Sequence, residues 1–378
     1  MKRLSVGKPD LDEREVKAVS EVLRSGWLTT GPEVEKLEQG ICDYVGCRHA
    51  VAVNSATGGL HVALMALGVG PGDEVIVPSY TFAASAHVVV WTGAKPVFVD
   101  IEPVTYNIDP KKILKAITKK TKVILPVHFA GHACDMDSIL KIAKSRKLRV
   151  VEDAAHAIGT DYKGKRIGSF GDIAVFSFYA TKVMCTGEGG MIVTNDKALA
   201  EKMRTVSFFG IDRSAFHRYK TGAGWYYSIP DMGYKYNMDN IHGAIGVQQL
   251  KKIEGFIAKR RGIAAKYNSG LKGYVKTAPN KGYQRHTYYL YPILVKNRDK
   301  VMEILQQNGI GASVHFIPLH MQPYYKKALG YKKGSLPVTE EVYSHEISLP
   351  MHTKLSAKDV DFVIKTIRGI DKRWLGKG

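Results

Sequence analysis

The stretch VAVNSATGGLHVALMALGVGPGDEVIVPSYTFAASAHVVVWTGAKPVFVD, residues 51–100, carries the pattern that decides the fold. Short apolar runs in it predict strands, and the longer apolar segments between them have the length of helices. The strands are predicted at 51–53, 75–77 and 96–99, and the helices at 58–67 and 82–90. Strands that alternate with helices of this length indicate a mostly parallel sheet with helices on both faces.

The same alternation continues to residue 151 and then changes. Further helices are predicted at 110–117 and 136–145, and further strands at 123–127 and 148–151. Two more strands, at 174–178 and 190–194, are separated by only eleven residues. Because a crossover helix needs a longer connection, we expect a functional loop between these two strands.

Both ends of the chain carry additional elements. A first helix is predicted from the capping-box spacing of Asp10 and Glu13, and Gly26 is a typical helix end. Its apolar residues at helical spacing are Leu11, Val16, Val19 and Leu23. A long helix begins near Ile241 and runs past residue 260. Beyond it we predict strands at 288–295 and 312–317 and helices at 300–308 and 357–370.

These patterns predict an α/β protein of two domains. The large domain, residues 1–250, contains the sheet and the N-terminal helix. The small domain, residues 251–378, contains the long linking helix and a C-terminal α+β unit.

Composition excludes several classes of protein. Of the 378 residues, 45% are hydrophobic and 24% are charged, which is typical of globular proteins and not of disordered, collagen-like or coiled-coil chains. No stretch approaches the roughly 18–20 apolar residues of a membrane helix, and no signal-peptide pattern follows the first residues. We therefore expect a cytoplasmic protein with no membrane partner. The cysteines, which lack the spacing of metal ligands, are expected to be free thiols: Cys42, Cys47, Cys134 and Cys185.

The charge is strongly positive. Lys and Arg number 55 against 35 Asp and Glu, a formal net charge of +20, which suits either nucleic acid or small anionic ligands. The basic residues occur in short clusters typical of solvated helix faces. The sequence has no zinc finger or RNA-binding aromatic signature, so we do not expect a nucleic-acid partner.

Three candidate groups follow predicted strands, at the sheet edge where open α/β proteins bind ligands. Residues 54–59, NSATGG, open a helix whose free N–H groups suit a phosphate, although Ser or Thr there is more often a simple helix cap. Asp153 ends a strand, where a carboxylate either caps the next helix or serves a site. Lys182 follows a buried strand that contains Ser177, and partial desolvation makes such an amine nucleophilic.

A phosphate site, an acid and a nucleophilic lysine are the groups that pyridoxal phosphate (PLP) requires. Lys182 would bind the cofactor covalently, and Asp153 would hold its pyridine nitrogen protonated. Phe82 would stack on the cofactor ring, although a core aromatic is an equally good interpretation of it.

The chain resembles, almost from end to end, the sugar aminotransferases of the DegT/DnrJ/StrS family. Six segments carry this resemblance. They are SGWLTTGPEVEKLE (25–38), NSATGGLHVALMALGVGPGDEVIVPSYTFAASA (54–86), GAKPVFVDIEP (93–103), VEDAAHAIGTDYKGKRIGSFGD (151–172), FSFYATKVMCTGEGGMIVT (176–194) and GYKYNMDNIHGAIGVQQL (233–250). The resemblance implies PLP as cofactor and the type I aminotransferase fold: a large domain with a mostly parallel mixed sheet between helices, and a small C-terminal α+β domain.

The resemblance also implies a role for each candidate residue. The matching positions are Lys182 for the covalent bond to the cofactor, Asp153 for its pyridine nitrogen, Phe82 for ring stacking, Ala56, Thr57 and Ser177 for the phosphate, and His156 for the ring's 3-hydroxyl or the substrate.

Two further positions concern the partner subunit and the substrate. Many relatives have Asn where Lys235 stands, and that Asn reaches the phosphate bound in the partner subunit; a lysine can do so with a charge-assisted hydrogen bond. A homodimer with shared active sites is therefore implied. The VHF of 314–316, with SATGG and DAAHA, resembles the UDP-4-amino-4-deoxyarabinose aminotransferases and implies that His315 lies near the sugar. Some of those enzymes have Trp at the position of Phe82, so the substrate stays open.

The implied reaction moves an amino group from glutamate to a nucleotide-linked keto-sugar, at C4. The alternatives are amination at C3 and a non-enzymatic regulatory protein on the same fold. A sugar dehydratase is disfavoured because those relatives have histidine where this chain has Lys182.

Overall fold

The computed structural model describes residues 3–212, 225–279 and 284–376. Its strands are β1 (His49–Val53), β2 (Glu74–Pro78), β3 (Lys95–Val99), β4 (Thr121–Ile124), β5 (Arg149–Asp153), β6 (Asp161–Tyr162), β7 (Lys165–Arg166), β8 (Ile173–Ser177), β9 (Gly190–Thr194), β10 (Lys276–Thr277), β11 (Gln284–Arg285), β12 (Tyr291–Leu294) and β13 (Glu346–Leu349). Its helices are α1 (Glu13–Ser25), α2 (Pro32–Val45), α3 (Ala56–Ala66), α4 (Ala84–Trp91), α5 (Pro110–Ala116), α6 (Met136–Arg146), α7 (Lys197–Val206), α8 (Asn240–Gly270), α9 (Arg298–Gln307), α10 (Pro323–Leu329), α11 (Pro337–His345), α12 (Ala357–Arg368) and α13 (Lys372–Leu375).

The main sheet has the strand order β1-β9-β8-β5-β4-β2-β3. The strands β3, β2, β4, β5 and β8 run parallel, whereas β9 is antiparallel to both of its neighbours. The antiparallel pair follows from the short connection between β8 and β9, which has no room for a crossover helix. The predicted mostly parallel mixed sheet is therefore confirmed.

Both faces of this sheet are covered. Every residue of β2, β8 and β9 is buried, as expected for strands that lie between two layers of helices. Along β8, Ala174 and Phe176 join a core that includes Leu37 of α2, while Val175 joins a core on the other face with Leu60 of α3. Successive side chains alternate between the two cores because a strand has a period of two.

A small antiparallel sheet, β10-β12-β13, lies in the C-terminal part of the chain. It shares a separate core with α9 and α12, in which Leu305, Val363 and Ile347 are fully buried. This is the predicted α+β unit. The boundary between residues 250 and 251 stays a prediction, because α8 spans it without a break.

The strand predicted at 312–317 is wrong. Ser313 forms only an isolated bridge to Ser348, and the backbone N–H of His315 donates to the carboxylate of Glu346 instead of to a neighbouring strand. The strand predicted from 288 begins only at Tyr291, since Tyr288 has a positive φ of 50° that interrupts an extended chain.

The capping box predicted at Asp10 and Glu13 is also wrong, by two residues. Asp12 is the residue that caps α1, and its backbone N–H donates to Glu15 at 2.9 Å to complete the box. Asp10 is instead paired with Lys354, so its carboxylate serves a contact between distant parts of the chain.

The residues that α1 buries are not the ones that its apolar spacing predicts. Gly26 ends the helix in the left-handed conformation, with φ of 71°, as predicted. Leu11, Val16 and Leu23 are nevertheless exposed, and α1 packs on α8 through Ala18 and Val22. The small side chain of Ala18 permits close contact between the two helices.

Within the described ranges, no helix is long and apolar enough to cross a membrane. The same ranges contain no group of three or more His, Cys, Asp or Glu side chains arranged to hold a metal ion. The four cysteines are free thiols, as predicted.

Candidate active site

A cavity of about 540 Å³ opens at the carboxyl ends of β5 and β8, within the usual size range of cofactor and ligand sites. It brings together eight of the residues predicted from the sequence. They are Ala56, Thr57, Phe82, Asp153, His156, Ser177, Lys182 and His315.

One wall of the cavity is the start of α3. The hydroxyl of Ser55 caps this helix by accepting a hydrogen bond from the N–H of Gly58 at 3.0 Å. The N–H groups of Ala56 and Thr57 lie in the first turn of the helix, where no helical carbonyl is available to accept them. They therefore remain for a ligand. Gly190 of β9 packs so closely that a Cβ there would lie 2.6 Å from the nitrogen of Ala56. This helix start suits an anion, because its free N–H groups and the positive end of the helix dipole point to the same place.

Asp153 ends β5 and is almost fully buried at the cavity wall. Its carboxylate accepts hydrogen bonds from the hydroxyl of Ser85 at 2.7 Å and from the N–H of Ala155 at 3.1 Å. Burial raises the pKa of Asp153, and the hydrogen bond from Ser85 opposes that rise. A cationic group opposite this carboxylate would offset the burial and stabilise its charge.

Lys182 lies in the loop between β8 and β9, half-buried at the cavity. Its Nζ atom is 4.2 Å from the centre of the Tyr289 ring, and the hydroxyl of Tyr289 is 3.3 Å from that of Thr181. Burial alone would raise the pKa of Tyr289, but Lys182, the hydrogen bond with Thr181 and the charge of Arg260 together outweigh it, and the net shift of the pKa is downward. The aromatic face thus orients the amine by a cation–π contact.

Aromatic rings and histidines form the remaining walls. The ring of His156 lies 4.4 Å from that of Tyr289 and 6.1 Å from that of Phe316. Its Nδ1 accepts the N–H of Ala130 at 3.3 Å, and burial lowers its pKa well below the usual value. The ring is therefore neutral, with its hydrogen on Nε2. Phe82 is 61% exposed and 5.9 Å from the Phe316 ring.

Lys235 does not line this cavity in the described structure. Its side chain is exposed, and its Nζ donates to the side chain of Asn237 at 2.7 Å and lies 4.5 Å from the Phe208 ring. Its backbone carbonyl accepts from the side chain of Asn54, directly before the α3 start. Lys235 thus lies beside the anion site without entering the cavity.

The residues present fit PLP. Free N–H groups at the α3 start suit its phosphate, the buried carboxylate of Asp153 suits a protonated ring nitrogen, and the amine of Lys182 suits its aldehyde carbon. The donor on His156 suits a ring oxygen.

Comparison with known proteins agrees with this geometry. The profile of the DegT/DnrJ/EryC1/StrS aminotransferase family matches residues 9–368. The chain belongs to this family. Its members are PLP-dependent sugar aminotransferases.

Relatives of this aminotransferase cover nearly the whole chain. An uncharacterized protein of Methanocaldococcus jannaschii, MJ1066, is 48% identical over 372 residues, which are 96% of each chain. The spore coat polysaccharide biosynthesis protein SpsC of Bacillus subtilis is 43% identical over 374 residues, again 96% of each chain.

Solved structures with the same fold include Spr1654 from Streptococcus pneumoniae in its PMP form. It has a TM-score of 0.91 and 35% identity, over 96% of this chain and 98% of that one, and it has also been solved in a PLP form. PseC of Helicobacter pylori, an aminotransferase of pseudoaminic acid biosynthesis, has a TM-score of 0.90 and 31% identity, over 97% and 98% of the two chains. PLP is therefore the cofactor of this aminotransferase.

The sequence did not identify several residues of the site. Ser85 lies three residues beyond Phe82, at helical spacing, so the position of Phe82 was a usable signal for it. Tyr289 and Phe316 come from the C-terminal third of the chain. Tyr289 belongs to no motif, and Phe316 belongs to the VHF segment, in which only His315 was given a role. Only packing brings them to Lys182 and Phe82.

Proposed function

We propose that this aminotransferase transfers an amino group from glutamate to a nucleotide-linked keto-sugar, at C4 and with UDP as the nucleotide. The observation that carries the proposal is the meeting of Lys182, Asp153 and His315 in one cavity. The first two are the residues of cofactor chemistry. The third belongs to the VHF segment that resembles the UDP-4-amino-4-deoxyarabinose aminotransferases.

Lys182 has two proposed tasks. Its amine binds the cofactor, and once substrate has displaced it, the same amine takes a proton from one carbon and returns it to another. Bound PLP supplies a conjugated ring that withdraws electrons from the carbon losing its proton. The ring centre of Tyr289 lies 4.2 Å from Nζ of Lys182. This contact keeps the amine at the cavity after the substrate has displaced it from the cofactor.

The other residues are proposed to hold the cofactor and substrate. Asp153, supported by Ser85, stabilises positive charge on the ring nitrogen, while the α3 start and Ser177 bind the phosphate. His156 donates from Nε2 to the ring oxygen or the substrate. The net charge of +20 favours an anionic substrate in general. The choice of nucleotide and carbon therefore rests on the resemblance.

A homodimer with shared sites is part of the proposal. Lys235 is exposed beside the α3 start and outside its own cavity, where a second chain is free to approach it. We also propose that the protein works in the cytoplasm, where nucleotide-linked sugars are made, on a pathway for a cell-surface polysaccharide.

The test is a panel of UDP-, dTDP- and GDP-linked 3-keto and 4-keto sugars incubated with glutamate and analysed by mass spectrometry. We expect an amino sugar from a UDP-linked 4-keto substrate and none with Lys182→Ala. Borohydride treatment of the holoenzyme followed by peptide mapping should place the cofactor on Lys182. A product only from 3-keto sugars would move the amination to C3. Absence of any product from a PLP-loaded protein would favour a regulatory role.

A further inference from the structure

A buried carboxylate is connected to the cavity through two hydrogen bonds. Glu346 and Ser348, both on β13, are fully buried. The Glu346 Oε1 atom lies 2.6 Å from the hydroxyl of Ser348, and that hydroxyl lies 2.9 Å from Nδ1 of His315. The ring of His315 lines the cavity. The three side chains thus form a continuous chain of hydrogen bonds that leads from the protein interior to the cavity.

The second oxygen of Glu346 determines how this chain is oriented. Oε2 accepts the backbone N–H of His315 at 2.8 Å, and because a backbone N–H only donates, Oε2 stays an acceptor. A proton on the carboxyl group is therefore favoured on Oε1, where the hydroxyl of Ser348 at 2.6 Å accepts it.

Two arrangements satisfy every group in the chain. If Glu346 is ionised, Ser348 donates to Oε1 and accepts from Nδ1–H, which leaves a lone pair on Nε2 of His315. If Glu346 is protonated, Oε1–H donates to Ser348, Ser348 donates to Nδ1, and Nε2 carries the hydrogen. Ionisation releases one proton from Glu346 to solvent, while His315 keeps a single hydrogen that changes nitrogen.

We propose that Glu346 is a positioning residue whose protonation state, relayed by Ser348, decides whether Nε2 of His315 donates or accepts a hydrogen bond in the cavity. The relay itself stands on these contacts alone. Its effect on sugar binding rests on the function proposed above, in which His315 meets the substrate.

The surroundings of Glu346 allow it to change charge near neutral pH. Burial raises its pKa to about 8, against the hydrogen bonds from Ser348 and His315 and the charge of Arg298. The titratable and charged groups that face it are Arg298 at the start of α9, Tyr80 after β2, Tyr106 before α5 and His315. Arg298 is also bound to the backbone carbonyl of Tyr343 on α11. Among the described atoms, the hydroxyls of Tyr80 and Tyr106 are buried without a partner.

His315 does not titrate in the same range. Burial and the charge of Lys182 lower its pKa to about 4. Between the two pKa values its ring is neutral, so a change near pH 8 is an exchange of tautomers. Such an exchange interchanges the chemical shifts of the two ring nitrogens, whereas protonation of the ring gives both nitrogens the shift of an N–H nitrogen.

The test is nitrogen NMR of the holoenzyme labelled with ¹⁵N-histidine, followed across pH 8. We expect the Nδ1 and Nε2 resonances of His315, assigned by their loss in His315→Gln, to exchange character as the pH rises. In Glu346→Gln the amide oxygen must accept the His315 N–H, so the NH₂ group donates to Ser348. This variant should hold the low-pH tautomer throughout.

Ser348→Ala is the second variant, and it keeps the test open if Glu346→Gln fails to fold. Without the hydroxyl, the His315 resonances should no longer follow Glu346. His320 is the internal control, because it is also buried between a serine and a glutamate, Ser79 and Glu340. Its resonances should be the same in all variants. An interchange of the two nitrogen shifts that is absent from the wild type, or present in Ser348→Ala, overturns the relay whatever the substrate proves to be.

The effect on the substrate is measured separately. With the keto-sugar found in the panel, the wild-type KM for the sugar should change about tenfold across pH 8, as expected when a hydrogen-bond donor replaces an acceptor. In Glu346→Gln it should keep the low-pH value, and the KM for glutamate should not respond. If the tautomers exchange but the sugar KM of both proteins varies identically, the relay does not act on the substrate.

Discussion

Asp153 lies in a buried environment that disfavours the charged form of its carboxyl group. Burial raises its pKa, and the hydroxyl of Ser85 supplies only one neutral hydrogen bond against that burial. A free carboxylate in such a site is costly, whereas one paired with a cation is stabilised. The residue is thus prepared for a positive partner, and in the proposed mode of PLP binding the protonated ring nitrogen is that partner.

Asp153→Asn should therefore keep the fold and bind PLP but nearly abolish transamination. An amide has no negative charge with which to hold the ring proton. The cost should be on the order of the 3–5 kcal/mol for breaking a buried pair, or roughly a 10²–10⁴-fold loss in kcat. Single-turnover kinetics with glutamate measure this directly.

Ser85→Ala is the matched control for Asp153→Asn. It removes one hydrogen bond and leaves the charge, so we expect a loss of only about tenfold. Near-normal turnover by a folded, PLP-loaded Asp153→Asn protein would refute the role of the carboxylate.

The element that forms the anion site is the start of α3, and β9 fixes its position. At Gly190 an added Cβ would lie 2.6 Å from the backbone nitrogen of Ala56 and 2.7 Å from the carbonyl carbon of Ser55. These are backbone atoms that cannot rotate away. Glycine at this strand position therefore sets the distance between the sheet and the N–H groups that are proposed to bind the phosphate.

Gly190→Ala should push the α3 start outward. We expect overpacking to cost about 1–3 kcal/mol of stability and to weaken PLP binding by about tenfold or more. Equilibrium dialysis of PLP and thermal unfolding of the apo form measure the two effects.

Gly262→Ala makes the same substitution within α8, where no atom lies within 4 Å of the added Cβ. Because alanine favours a helix, this control should raise stability by up to about 1 kcal/mol and leave PLP affinity unchanged. Equal PLP affinity in both variants would mean that the contact with β9 does not place the anion site.

The assembly of the whole molecule decides the role of Lys235. This residue is exposed beside the α3 start of its own chain, and the proposed dimer would bring it to the phosphate of the partner subunit. Its side chain is bound to Asn237 by a single hydrogen bond of 2.7 Å, which is easily exchanged for one to a phosphate. Partial desolvation of its amine lowers the pKa of Lys235.

Mixing Lys182→Ala with Lys235→Ala tests the shared site. In a heterodimer with shared sites, one site carries both lesions and the other carries neither, so activity should exceed that of either parent. Lys182→Ala mixed with Asp153→Asn is the control: both residues line one chain's cavity, and that mixture should not complement. If subunit exchange is shown by mass and the first mixture also stays inactive, Lys235 acts within its own chain.

Much of the large sheet, and the meeting of several candidate site residues at its edge, could be predicted from the sequence. Buried parallel strands are apolar runs at regular spacing, so β1 to β5 and the helices between them were predicted to within a few residues. The carboxyl ends of parallel strands share one edge, so Asp153 and Lys182 were expected to meet there, as they do at the cavity. Both conclusions depend only on local periodicity and on the general geometry of such sheets.

Tertiary structure alone decided the features that depend on distant partners. Asp10 has the spacing of a helix cap but is paired with Lys354. Residues 312–317 have a strand-like composition but form only one isolated bridge to β13, and the N–H of His315 bonds to a side chain. Likewise, nothing near His315 in the sequence indicates that Glu346 is its neighbour. Sequence patterns reflect interactions between residues that are near one another in the chain. Hydrogen bonds and packing between remote segments depend on the tertiary structure and form only when the chain has folded.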